Sequence, residues 1–101
     1  MQAVTHSAER FHAAVEAELN EERTAVLVRV SRRLEEARAR AEHLGSQLDR
    51  SAIPDPDVLA DHRQAHAEAA RWKWVLCVQR EAIGLYDHRW IDATYPALRR
   101  R

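Results

Sequence analysis

Apolar residues recur along this chain in the 4-3 alternation that marks one face of a helix packed against another. One series falls at Leu27, Val30, Leu34, Ala37, Ala41, Leu44 and Leu48. A second runs through Val58, His62, Ala65, Ala69, Trp72, Leu76, Gln79, Ile83, Tyr86 and Trp90. Nearer the start the stripe drifts to Phe11, Val15, Leu19 and Val26, which suits a straighter or wider contact. Between the two series, "SAIPDPDVL" carries Pro54 and Pro56 and reads as a connector. Asp55 is placed to cap a helix, Pro56 fits its first position, and Asp57 adds negative charge to its first turn. Gly84 either ends that second helix or is crossed at a cost of about 1 kcal/mol. Tyr95-Pro96 marks a stop.

The pattern therefore predicts an all-α protein, an antiparallel two-helix hairpin with long helices at about 7–48 and 56–84 or beyond. The whole of 1–101 is expected to be one domain. Residues 1–6 read as a flexible N-terminus, 49–55 as the connector and 96–101 as a basic tail. Folding about residue 53 pairs positions whose numbers sum to about 106, and the two series then match layer for layer. Leu48 meets Val58, Leu44 meets His62, Ala41 meets Ala65, Ala37 meets Ala69, Leu34 meets Trp72, and Val30 meets Leu76.

One stretch exceeds what a hairpin can bury. Residues 71–78, "RWKWVLCV", place Trp74, Val75, Cys77 and Val78 outside the single seam. A helix that is apolar on more than one face is covered on more than one side. A second copy, another protein, or the segment "YDHRWIDATYPALRRR" folding back would supply the cover. The expected result is a homodimeric four-helix bundle, or a complex with a partner protein. Trp72, Trp74, Val78, Leu85, Tyr86 and Trp90 are the expected contact residues, since buried aromatics dominate interface energies.

Composition changes this picture in a few places. Sixteen acidic and sixteen basic residues leave no global field to attract nucleic acid, and no nucleic-acid partner is expected. Locally, helix 1 begins acidic (Glu9, Glu16, Glu18, Glu21, Glu22) and turns basic (Arg23, Arg29, Arg32, Arg33, Arg38, Arg40). An antiparallel copy would set acid opposite base. The single lysine, Lys73, and the many alanines and arginines are what a GC-rich bacterial genome encodes. Neither a membrane-spanning run nor a secretory leader is evident, so a cytoplasmic protein is expected, with no membrane partner.

Candidate chemistry centres on histidine. His62 and His66 lie one turn apart, and the hairpin register brings His43 near them, a set that zinc or iron would accept. His12 and His88 are a possible second set. The competing expectation is that His62 replaces a core leucine and no cofactor is bound. His12-x3-Glu16, His62-x3-His66 and His88-x3-Asp92 resemble the ligand spacings of hemerythrin-type di-iron bundles. The resemblance implies one shared site, but the register separates His12 from His62 by roughly 40 Å within a chain. Glu9-x-x-His12 is similar to the step of ferritin-like sites, without the second copy they need. The size and hairpin shape resemble the secreted hairpin proteins with a Trp-x-Gly turn, yet here the turn is Ser51-Ala-Ile-Pro-Asp-Pro. Cys77 sits among apolar neighbours, which keep a thiol inert, and no phosphate-binding glycine loop exists. The sequence thus predicts a non-enzymatic interaction or scaffolding module, with a metal-binding bundle as the alternative.

Overall fold

The computed structural model describes residues 2–101, with side chains from residue 7 onward. The flexibility expected of residues 1–6 concerns Met1 and side chains that lie outside this set. Helix is the only regular structure among the described residues. α1 spans Gln2–Arg50, α2 spans Pro56–Ala82 and α3 spans Arg89–Thr94. α1 and α2 form the antiparallel hairpin, in a rod with a long dimension of 79 Å. No helix is long and apolar enough to cross a membrane among the described residues.

The start of α2 follows from its first residues. Asp55 adopts an extended backbone and its carboxylate accepts a bond from the Asp57 amide at 2.8 Å, with Pro56 at the first helical position. The side chains that meet between the helices are those of the two series. Val30, Leu34, Ala37, Ala41 and Leu48 of α1 are buried, as are His62, Ala65, Ala69 and Leu76 of α2.

The end of α2 corrects the second series. The seam does not continue to Tyr86 and Trp90, because the helix stops at Ala82 and the chain reverses at Gly84. Gly84 has φ +87°, a conformation that a Cβ disfavours. The Gly84 amide donates to Glu81 O at 3.0 Å and the Leu85 amide to Arg80 O at 2.9 Å. This pair of bonds is the Schellman stop, which satisfies the last carbonyls of the helix. Tyr86 and Trp90 continue the spacing only by coincidence, on a segment that runs the other way.

Residues 89–101 return along one flank of the hairpin as a strap. Ile91, fully enclosed, and Tyr95 join the core formed by Val30, Leu34, Ala37, Ala69 and Leu76, and Leu98 packs at its margin. Polar ties fix the strap to both helices. Arg38 of α1 donates to Pro96 O at 2.7 Å, and His66 of α2 donates through Nε2 to Leu98 O at 3.1 Å. Lys73 and Asp92 are paired at 3.2 Å. The basic tail is therefore laid against the turn end: Arg101 forms two parallel bonds to Asp49, at 3.0 and 2.8 Å. Its guanidinium rests directly over Gly45, where any Cβ would collide with it.

Candidate interaction surface

The expected contact residues divide into two groups. Trp74 and Val78 lie one turn apart on the face of α2 turned away from α1, and Trp74 is 66 % exposed. Leu85 and Tyr86 are exposed in the reversal that follows α2. Trp72 differs from these, being half-buried and packed against the core. Trp90 also differs, because α3 carries it to the flank of the strap. There it meets Tyr95 edge to face, with ring centroids 6.3 Å apart, and the Arg80 guanidinium sits 5.8 Å from its ring. Trp90 and the exposed Val28 of α1 border one shallow groove, which Ser31, Arg32, Glu35 and Arg80 also line.

Folding back the strap answers part of the excess noted at residues 71–78. Cys77 is half-buried against the core, and burial pushes its thiol up, which keeps it protonated. With the strap folded back, Trp74, Val78, Leu85 and Tyr86 remain in solvent.

The histidines are not drawn together. His62 is buried at 2 % exposure in the seam position where a leucine would serve, and its Nδ1 has no hydrogen-bond partner among the described residues. Burial is the main cause that lowers its pKa, followed by the positive charge of Arg101, so the ring is held neutral. His66 lies 6.2 Å away between ring centroids, but its Nε2 is committed to the strap. His43 is exposed and accepts from Gln47 at 3.3 Å. Among the described residues no three His, Cys, Asp or Glu side chains are grouped to hold a metal ion. His12 is exposed on the N-terminal part of α1, while His88 bonds Glu81 at 2.8 Å, so the second set is separated too.

A cleft of about 460 Å³ opens beside His62, bordered by Arg38, Arg99 and Arg101. Two of these three arginines are already engaged. Arg38 is spent on Pro96 and Arg101 on Asp49, whose carboxyl the Arg101 bonds hold below its ordinary range. The C-terminal end of α1 adds partial negative charge at the same place.

What the sequence reading lacked was the strap's anchorage. Ile91, Tyr95 and Leu98 carry a faint 4-3 signal of their own, legible only once Gly84 is known to end α2. Tyr95 donates to Glu35 at 2.8 Å, and burial with that bond raises its pKa. The chain matches no protein-family model, no curated protein and no solved structure.

Proposed function

We propose that this protein is a non-enzymatic helical interaction module, binding a second copy or a partner protein through the Trp-rich surface at the end of α2. The observation that carries this reading is the cluster of Trp74, Val78, Leu85 and Tyr86 left in solvent after the strap has folded back. Such a cluster supplies the large aromatic anchors that dominate protein–protein contacts. The inert thiol and the neutral, enclosed His62 favour binding over catalysis.

A photo-cross-linking residue at Val78, introduced in the cell of origin, tests the reading. A discrete adduct, with the same chain or with one other protein, is expected, and Trp74→Asp should abolish it. Absence of any discrete adduct, or one indifferent to Trp74→Asp, would sink the proposal.

A further inference from the structure

Among the described residues, nothing packs against the N-terminal half of α1. α1 has 49 residues and α2 has 27, so α1 outruns the hairpin by 22 residues, about 33 Å. Val26 and Leu27 are where α1 begins to pack against the core. Before them, Phe11 is 67 % exposed and Leu19 45 %. A lone helix of that length is marginal in water, and its apolar side chains gain nothing there.

These residues share one face. Ala8, Phe11, Val15, Leu19 and Val26 follow each other in steps of three, four and seven. The same face continues through Val30, Ala37 and Leu44, along one edge of the hairpin. The strap occupies the other edge, where it is tied to Glu35, Arg38 and Asp49 of α1 and to His66 and Lys73 of α2. On the edge away from the strap, Trp72 and Val75 of α2 are only half-buried. The hairpin is thus covered on one flank and open on the flank that α1's bare stripe shares.

We propose that a second copy of the chain fills that flank, the two α1 helices lying antiparallel over their full length. The overhang of each copy then completes the hairpin of the other as its third helix. The inference goes beyond the Trp-rich surface and does not depend on it. Three observations converge on a second copy as the occupant.

Length is the first. The 22-residue overhang nearly matches the 27-residue α2 beside which it would lie, so every level of the rod has three helices in section. Self-complementarity is the second. Full overlap places Val26, the midpoint of α1, opposite itself. Val15 then lies level with Ala37 of the other copy, Ala8 with Leu44, Leu19 with Arg33 and Glu22 with Val30. Three of these levels pair apolar with apolar, and a two-fold contact repeats each unlike pair on both sides of Val26. The stem of Arg33 can cover Leu19 while its charge stays in water.

Charge is the third. Residues 1–25 hold five glutamates and two arginines, a net of −3, while residues 26–101 hold 14 basic and 11 acidic side chains, a net of +3. Pairing overhang with overhang would bring two acidic segments together. Laying each overhang along the other hairpin brings acid to base, which favours the fully overlapped register.

The test uses full-length chains. Sedimentation equilibrium of the wild type is expected to give a dimer. Phe11→Glu/Leu19→Glu, at positions outside the hairpin core, is expected to raise its dissociation constant on the order of a hundredfold. Chains with His12→Cys and chains with Arg40→Cys, both in a Cys77→Ala background, are then mixed and mildly oxidised. These positions lie level in the proposed register, so mixed disulfides should form in preference to like pairs. A monomeric wild type, a dimer indifferent to the double substitution, or cross-links confined to like pairs would overturn the proposal. Trp74→Asp should leave this dimer intact. A dimer lost with Trp74→Asp and kept with the double substitution assigns self-association to the Trp-rich surface and overturns the present proposal alone. Mixed cross-links without any adduct at residue 78 would support this register and remove only the earlier reading.

Discussion

Ile91→Ala should measure how much the strap contributes to the protein's stability. Ile91 has no exposed surface and touches the core shared by both long helices. The substitution deletes three carbon atoms, worth roughly 2.4 kcal/mol of transfer free energy at about 0.8 kcal/mol each. Incomplete collapse of the resulting cavity adds to this, so a loss of about 3 kcal/mol is expected. With an m-value of about 1.5 kcal/mol/M, the urea midpoint should fall by about 2 M. Far-UV circular dichroism would follow it, at one fixed protein concentration because association shifts apparent stability. Trp90→Ala, at the neighbouring but exposed position, should move the midpoint less than half as far. A loss below about 1 kcal/mol for Ile91→Ala would refute the enclosure of the strap, because an isoleucine fully packed on two helices cannot be truncated so cheaply.

Two further outcomes follow from single residues. Gly84→Ala should lower stability by about 1–2 kcal/mol in thermal melts, since its Cβ would meet no neighbour and only the positive φ would resist it; an unchanged melt would mean the reversal is not needed. His62 has its pKa lowered in the fold, so below its unfolded value near 6.5 the unfolded chain binds the proton first. Its contribution is present in full above that pH and is lost as pH falls through the folded value. Urea midpoints of the wild type should accordingly drop between pH 7.5 and 5 by more than those of His62→Leu, and parallel profiles would refute a neutral buried ring.

The hairpin was legible in the sequence because two independently read seams agree about a single proline-marked turn. Complementary spacing of that kind constrains both partners at once. The strap was less legible for the opposite reason. Three anchors, Ile91, Tyr95 and Leu98, are too few to define a period, and Tyr86 and Trp90 happened to prolong the period of α2. Whether a glycine ends a helix or is crossed depends on the backbone bonds around it, here those of Gly84 and Leu85, and not on its identity. The surface is a mixed case: Trp74, Val78, Leu85 and Tyr86 stand in solvent, whereas Trp72 is half-buried against the core and Trp90 lies on a different element. Proximity along the chain suggested a cluster of histidines, but packing committed His43, His66 and His88 to different neighbours and enclosed His62 without a bond, and spacing alone carries no information on such commitments.

The strap's ties have a consequence for how the helices find their alignment. Arg38 and Asp49 lie on α1 and His66 and Lys73 on α2, and residues 89–101 reach all four with one short stretch of chain. Alanine layers and repeating seams tolerate a slip of one helical turn, because a shifted pair of alanines packs much like the original. A slip of one turn displaces α2 by about 5.4 Å relative to α1. His66 and Lys73 would move with it while Arg38 and Asp49 stayed behind, and no single path of the strap could then satisfy both sets. The chain's last thirteen residues thus act as a gauge laid across the hairpin, fitting one alignment and rejecting its periodic neighbours.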